Sequence, residues 1–287
     1  MTESGQVDLP SLERLLDLHL EAKTDNLCVL GTTAEASLLS MAERKTVLDT
    51  VVAKAKGRIP ILVGTGTIDP TKVREMTLQA MDCGADASLV VTPYYIKPPQ
   101  RGLIRHFCQA ADLGLPVVVY NVPGRTSVDM SDAAIATVAT HENVVGLKDA
   151  TGNPSRVKTL QQELDQQGVP NNDFLLYSGD DGTTLDFLQE GGHGCISVTA
   201  NIAPAVMHQM VQAGLEGNTE EAMRLNTPLA NLHQTLFCEA NPIPAKWCLH
   251  RMGLIDGPFC RPPLVPLDPQ YESILEEALQ TAGITTV

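Results

Sequence analysis

One lysine stands inside an otherwise apolar run of this sequence. Lys148 follows Val-Val-Gly-Leu at 144–147 and precedes Asp149. Lysine is rarely fully buried, and desolvation favours its neutral amine, the form that attacks a carbonyl carbon. The position therefore indicates Schiff-base chemistry, in which the lysine forms an imine with a keto substrate. An ion pair with Asp149, or a side chain that extends to solvent, would explain the residue equally well.

Two tyrosines and an arginine stand close behind other apolar runs. Tyr120 follows three consecutive valines, and Tyr95 stands two residues beyond Pro93. A phenol in a hydrogen-bonded relay can pass protons to and from a carbinolamine, although a single tyrosine is more often a rim aromatic. Arg125 offers a planar fork for a carboxylate, and it could equally anchor its own loop through a salt bridge.

The elements that would position these residues are short apolar strands that alternate with amphipathic helices, the pattern of repeated βα units. Seven strands are predicted, at 27–33, 60–66, 87–95, 116–123, 143–150, 173–180 and 194–201. In a parallel barrel the active site lies at the carboxyl ends of the strands. Lys148, Tyr120, Tyr95 and the pair Thr32 and Thr33 all fall at such ends.

The first predicted element is a helix, over 8–23, so that eight barrel helices accompany seven strands. Because such a helix follows a strand in a βα series, we predict an α/β fold, a (β/α)8 TIM barrel whose first strand is missing from this chain. After residue 217 the strand pattern stops, and helices are predicted at 220–237, 243–252 and 268–281. The expected organisation is a catalytic barrel over 1–217 and a helical extension over 218–287.

The composition narrows the classes of partner. The 287 residues carry a formal net charge of −14 with scattered Lys and Arg, which argues against nucleic acid and anionic membranes as partners. No apolar run reaches the ~18 residues of a membrane span. Seven cysteines without a C-x-x-C pair favour reduced thiols. The chain has no H-E-x-x-H motif and no His/Cys cluster, so no metal is expected. We predict a cytoplasmic protein, or a plastid protein if a targeting segment precedes this sequence.

Taken in order, several motifs resemble those of the dihydrodipicolinate synthase family, within the N-acetylneuraminate lyase superfamily. The resemblance covers essentially the whole chain. The matching segments are GTTAE at 31–35, VTPYY at 91–95, YNVPGRT at 120–126, GLKDATG at 146–152, SGDD at 178–181, GCISVTAN at 194–201 and NPIPAKW at 241–247. Their number and their spacing make the resemblance specific.

The resemblance implies a class I lyase that condenses pyruvate with L-aspartate 4-semialdehyde in lysine and diaminopimelate biosynthesis. No cofactor is implied beyond the covalent imine between Lys148 and pyruvate. Tyr120 would shuttle protons with the help of Thr32 and of Tyr95, which would reach in from a neighbouring subunit. A homo-oligomer, either a dimer or a tetramer, is therefore expected.

The resemblance also implies how the substrates are held. Backbone N–H groups at Thr32 and Thr33 would bind the carboxylate of pyruvate, and Arg125 the carboxylate of the semialdehyde. Carbonyl groups near Gly179 and Ile196 would line the pocket. Two other functions stay open: a related pyruvate-dependent aldolase that acts on another aldehyde, and a non-catalytic truncated paralogue that retains the pocket.

Overall fold

The strands of the protein are short and fall where the apolar runs predict them. A computed structural model describes residues 1–170 and 172–287. Seven strands occur in this described part: β1 (Leu27–Val29), β2 (Ile61–Gly64), β3 (Ala87–Val91), β4 (Val117–Asn121), β5 (Val144–Asp149), β6 (Leu175–Ser178) and β7 (Gly194–Cys195). All seven predicted strands are confirmed, and each is shorter than its apolar run.

Helices follow the strands in alternation and continue beyond the last strand. They are α1 (Leu9–Glu21), α2 (Met41–Ala55), α3 (Pro70–Cys83), α4 (Gln100–Ala111), α5 (Pro123–Thr126), α6 (Asp132–Ala139), α7 (Arg156–Gln166), α8 (Thr184–Gln189), α9 (Pro204–Leu215), α10 (Thr219–Asn226), α11 (Ala230–Thr235), α12 (Ile243–Arg251) and α13 (Glu272–Thr281). Eight of them, α1–α4 and α6–α9, alternate with the strands as predicted. The last four form the expected helical extension.

Several predicted boundaries are wrong, and for three elements the structure gives the reason. The strand expected over 87–95 ends at Val91, because Pro93 has no N–H to continue the ladder. The strand expected over 194–201 ends at Cys195, and Ser197 Oγ then accepts a hydrogen bond from Ala200 N at 2.8 Å, which turns the chain. The helix expected over 220–237 is divided by a 3-10 turn, Thr227–Leu229, whose middle residue is a proline.

One compact unit of the chain runs from Ile61 to Ile196. In it, β2 to β7 pair in parallel, each strand with the next one along the chain. The buried cluster of this unit joins strand residues such as Val119 and Leu147 to helix residues such as Phe107 and Leu160. This packing fixes the strands whose carboxyl ends carry Tyr120, Lys148 and Gly179.

The second compact unit combines Met1–Pro60 with Ser197–Val287. The first residue of β1 donates its N–H to Pro60 O at 3.0 Å. In this unit α1 packs against α2 and α9, and α11 packs against α13. The sequence-based division at residue 217 follows the order of elements along the chain and stays a prediction.

Local signals in the sequence account for several element ends. Asp69 accepts a hydrogen bond from Thr71 N at 2.9 Å and caps α3, whose first residue is Pro70. Ser40 and Glu43 form a reciprocal capping box at the start of α2.

None of the seven cysteines forms a disulfide with another residue that the structure describes. None of the helices in the described residues is long and apolar enough to cross a membrane.

Candidate active site

The structure brings the candidate nucleophile and the candidate proton carrier together. The parallel register of β4 and β5 pairs Tyr120 with Lys148, although 28 positions separate them in the sequence. Lys148 Nζ lies 4.4 Å from the centroid of the Tyr120 ring. Tyr120 is buried, at 8% exposure, and Lys148 is partly buried. The pair therefore lies at the carboxyl ends of two central strands, with the amine within reach of a small molecule.

The acidic neighbour of Lys148 points elsewhere. Successive strand residues face opposite sides, so the Asp149 carboxylate lies away from the amine. Asp149 Oδ1 accepts hydrogen bonds from Asn121 Nδ2 at 3.0 Å and from Arg156 at 3.1 Å. Within residues 1–170 and 172–287, Lys148 forms no ion pair. The alternative of a Lys148–Asp149 ion pair is therefore wrong.

Arg156 is buried and is the centre of an ion-pair network with three carboxylates. Its guanidinium reaches Asp149, Asp132 at 2.7 Å and Asp129 at 2.9 Å. Burial alone would lower the pKa of Arg156, but these three carboxylates together raise it above its usual value. The network holds Asp149, and with it the strand end that carries Lys148. Sequence reasoning missed this residue, because a charged position on α7 gives no signal of its partners.

Glycine at 179 makes room for the lysine side chain. A Cβ at this position would lie 2.9 Å from Lys148 Cε and 2.9 Å from Ala150 Cβ, distances that side chains do not tolerate. Gly179 N donates to Asp149 O at 2.7 Å, and Ile196 N donates to Ser178 O at 2.9 Å. The backbone at both predicted pocket positions is therefore fixed next to β5 and β6.

Arg125 lies on the short helix α5, whereas the sequence predicts a loop at this position. Thr126, which is buried, anchors this helix through Oγ, which donates to Val128 O at 3.0 Å. Arg125 is exposed and has no ion pair within the described part of the chain. The alternative of a loop-anchoring salt bridge is wrong, and the guanidinium is available to a carboxylate from solution.

Tyr95 lies on the surface of the single chain. It follows the end of β3 with a positive φ of 67°, and 87% of it is exposed. Its neighbour Ile96 is 56% exposed, whereas the Tyr94 hydroxyl lies 3.2 Å from Thr67 Oγ1. The side chain of Tyr95 makes no hydrogen bond to any residue that the structure describes. In the single chain, the exposed Tyr95 side chain is not part of the buried surroundings of Tyr120.

Thr32 and Thr33 lie in the other compact unit, on a 3-10 turn that begins after Gly31. Glu35 N donates to Thr32 O at 3.0 Å and closes the turn. The backbone N–H groups of Thr32 and Thr33 donate to no atom in residues 1–170 and 172–287. Two consecutive unpaired N–H groups form a concave donor site for an anion. Ala34 lies within the turn, and the left-handed residue is Glu35, with φ at 53°.

Metal ligation is not indicated by the arrangement of side chains. In the described residues no group of three or more His, Cys, Asp or Glu could hold an ion. The chemistry available at Lys148, Tyr120 and Arg125 is that of an amine, a phenol and a guanidinium. Such a set can form an imine, move a proton and bind a carboxylate.

The chain matches known proteins over nearly its whole length. The family model described as the dihydrodipicolinate synthetase family matches residues 1–282. A relative named 4-hydroxy-tetrahydrodipicolinate synthase from Teredinibacter turnerae is 45% identical over 284 residues, which are 99% of this chain and 95% of that protein. A relative of the same name from Nitrosomonas europaea is 46% identical over 286 residues, with coverages of 99% and 96%.

One solved structure is about as similar to this chain in sequence as these two relatives are. The dihydrodipicolinate synthase from Acinetobacter baumannii, described as chloride inhibited and complexed with pyruvate, is 46% identical. The match covers 99% of this chain and 96% of that chain, with a TM-score of 0.94. Together with the alternating strands and helices, this likeness confirms the predicted fold class, an α/β fold of the TIM-barrel type with a C-terminal helical extension.

Proposed function

The chain belongs to the dihydrodipicolinate synthetase family, and from that premise we propose that it condenses pyruvate with L-aspartate 4-semialdehyde to 4-hydroxy-tetrahydrodipicolinate. The reaction is the lyase step of lysine and diaminopimelate biosynthesis that the sequence resemblance implies. One observation carries the proposal in this chain. Lys148 lies 4.4 Å above the Tyr120 ring, on a strand end, without a carboxylate partner in the described residues.

The amine of Lys148 attacks the keto carbon of pyruvate and forms a carbinolamine. Loss of water gives the imine, and loss of a proton from the methyl carbon gives the enamine. The enamine carbon adds to the aldehyde carbon of the second substrate, whose oxygen takes up a proton. The amino group of that substrate then displaces Lys148 at the imine carbon, which closes the ring and frees the enzyme. Atoms balance with the release of water and without a cofactor.

Tyr120 serves as the group that gives and takes protons during these steps. Its side chain is buried beside the amine, where a phenol keeps a defined direction. Thr32 and Tyr95 complete the relay in this proposal, and Tyr95 acts in a neighbouring copy. The 87% exposure of Tyr95 in the single chain is consistent with that role.

Substrate carboxylates are held at two places in this proposal. The unpaired N–H groups of Thr32 and Thr33 receive the carboxylate of pyruvate. Arg125, exposed and unpaired within residues 1–170 and 172–287, receives that of the semialdehyde. Carbonyl groups near Gly179 and Ile196 line the pocket. A guanidinium favours a carboxylated aldehyde over a polyol, which distinguishes this function from that of an aldolase acting on sugar acids.

The assembly and the location are part of the same proposal. Because Tyr95 acts across a subunit boundary, the active form is a homo-oligomer, a dimer or a tetramer. The small, carboxylated substrates and the acidic chain agree with a cytoplasmic enzyme that needs no metal. One similar solved structure, 37% identical, is described as a monomeric dihydrodipicolinate synthase variant, so the subunit count is a property to measure in each member.

Steady-state kinetics test the function. Purified protein with pyruvate is supplied with aspartate semialdehyde, or with an uncharged aldehyde of similar length, and pyruvate consumption is followed. We expect turnover with the semialdehyde. The kcat/KM for the uncharged aldehyde should be at least about tenfold lower, because a charge-assisted pair between a guanidinium and a carboxylate contributes about 1.5–3 kcal/mol. Preference for the uncharged aldehyde would indicate the related aldolase. Absence of any pyruvate consumption would indicate a non-catalytic paralogue.

A further inference from the structure

We propose that Asn241 is a positioning residue for pyruvate binding, because it orients the Thr33 hydroxyl so that its proton is directed to the carboxylate of the substrate. The inference rests on the proposed function, in which Thr33 binds pyruvate. Asn241 precedes α12 in the C-terminal segment, 208 positions after Thr33 in the sequence. The two residues belong to the same compact unit.

A single hydrogen bond joins the two side chains. Asn241 Nδ2 donates to Thr33 Oγ1 at 2.9 Å, and Asn241 is buried at 7% exposure. A threonine hydroxyl has one proton and accepts through its lone pairs. Because Oγ1 accepts from Asn241, its proton must point to another acceptor. No atom in the described part of the chain accepts the proton of the Thr33 hydroxyl. The backbone N–H of Thr33 also has no acceptor there.

The direction of this hydrogen bond follows from what surrounds the amide. Asn241 Oδ1 is buried and has no partner among the residues that the structure describes. In the opposite orientation the atom without a partner would be the amide nitrogen. Proteins leave carbonyl oxygens unpaired more readily than N–H groups, so the orientation with Nδ2 toward Thr33 is favoured. The amide of Asn241 is therefore a donor, and the hydroxyl of Thr33 is a donor to substrate.

A second anchor from the same segment fixes the other end of the turn. Lys246 Nζ pairs with Glu35, whose side chain is 1% exposed, and also donates to Phe259 O at 2.7 Å. Glu35 also accepts from Arg261 N at 2.7 Å. Glu35 has a left-handed φ of 53°, which an L-residue adopts only when its surroundings hold it. The turn that carries Thr33 is thus held at both ends by residues 241–261.

The test measures how much pyruvate is needed to form the imine. Borohydride trapping at increasing pyruvate concentration is carried out on the full-length wild type, Asn241→Ala, Thr33→Val and the double variant. Asn231→Ala, an exposed asparagine of the same unit, is the matched control. Each variant is also assayed for kcat at saturating pyruvate, and its thermal unfolding is recorded. Asn241→Asp, which has the same shape, serves if the alanine variant does not fold.

We expect Asn241→Ala to raise the half-saturating pyruvate concentration by about five- to tenfold, with kcat changed less than about twofold. The double variant should need no more pyruvate than Thr33→Val alone, because Asn241 acts only through that hydroxyl. In Asn241→Asp the carboxylate accepts a hydrogen bond from the Thr33 hydroxyl, which turns that proton away from the substrate, so the half-saturating pyruvate concentration should rise further. The Asn231→Ala control should behave as the wild type.

Two results would overturn the inference. Multiplicative effects of the two single substitutions would show that Asn241 does not act through Thr33. An unchanged half-saturating concentration in Asn241→Ala, or in Asn241→Asp, would show that the hydroxyl needs no orientation. Both differ from a failure of the proposed function, in which the wild type itself would trap no pyruvate at any concentration.

Discussion

At the level of single residues, the amine of Lys148 lies against an aromatic ring, and no carboxylate in residues 1–170 and 172–287 forms an ion pair with it. The amine lies over the Tyr120 ring, while the adjacent Asp149 is engaged by Arg156 and by Thr151 Oγ1 at 2.5 Å. A carboxylate beside the amine would stabilise its charged form and oppose attack on a carbonyl. The sequence places Asp149 next to the candidate nucleophile, and the alternation of side chains along the strand turns that acid to the opposite side.

A second prediction at the level of single residues concerns Arg125. Arg125→Ala should leave imine formation with pyruvate unchanged and raise the KM for aspartate semialdehyde by about 10- to 150-fold, the value of a charge-assisted carboxylate pair. Stability should not change, because Arg125 forms no ion pair within residues 1–170 and 172–287. Arg105→Ala, an exposed arginine on α4, is the control. Equal loss of imine formation and turnover would contradict the assignment.

Residue types and spacing predict Lys148, Tyr120 and Arg125 as candidates, because each stands out against an apolar run or follows one. The residues that anchor Asp149 and Thr33 are not predictable in this way. Arg156 pairs with Asp132 and Asp129, 24 and 27 positions before it, and Asn241 pairs with Thr33, 208 positions before it. The sequence contains no periodic signal that links such positions. Asn241 belongs to a segment that carries the family resemblance, which marked the position without giving its partner.

At the level of elements, the ends of the strands are harder to predict from the sequence than their centres. The apolar run that predicts β3 continues past Val91, because burial requires apolar residues whether or not they are paired in a ladder. Pairing stops at Pro93, and the freed backbone carries Tyr95. Hydrophobic periodicity therefore predicts that a strand exists, whereas the point at which it ends depends on hydrogen-bonding partners in neighbouring strands.

The Arg156 network fixes the end of β5, and removing its centre leaves the buried carboxylate of Asp149 without its cationic partner. Arg156→Met should lower the free energy of unfolding by about 3–5 kcal/mol, the cost of breaking a buried ion pair. Lys158→Met, on the same helix, removes an exposed pair with Glu190 and should cost about 0–1 kcal/mol. Denaturant unfolding of both variants measures the difference. Similar small losses in the two would show that the network does not stabilise the fold.

At the scale of the whole molecule, a buried histidine links stability to pH. Burial lowers the pKa of His106 on α4 to about 4, and its Nε2 has no partner in the described residues. The unfolded chain therefore binds the proton more tightly than the folded chain does. We therefore expect the folded state to lose no stability to His106 above pH ~6.5 and to lose on the order of 3 kcal/mol through this residue as the pH decreases toward 4.

Replacement of His106 tests this dependence. His106→Leu should reduce the loss of unfolding free energy between pH 7 and pH 5, measured by urea unfolding at each pH. Burial also lowers the pKa of His19 and His193, so part of the slope should remain. His141→Gln, which removes a partly exposed histidine near Asp112, is the control. An unchanged slope in His106→Leu would show that this imidazole is not the group that links pH to stability.

The fold class was predictable at this scale because alternating strands and helices leave few topologies. The division into compact units was not predictable from the sequence, because residues 197–287 group with residues 1–60 through contacts that no local sequence pattern indicates. The helix expected over 220–237 shows the same limit on a smaller scale. Its apolar pattern continues across Pro228, and only the backbone geometry of proline divides it.

Covalent trapping of pyruvate tests the role of Lys148 most directly. The protein is incubated with pyruvate, reduced with borohydride, digested and examined by mass spectrometry, alongside Lys148→Ala and the exposed-lysine control Lys158→Ala. We expect one reduced pyruvate per chain, located at Lys148, in the wild type and in Lys158→Ala, and none in Lys148→Ala. An adduct on another lysine, or one that persists in Lys148→Ala, would contradict the assignment of Lys148 as the nucleophile.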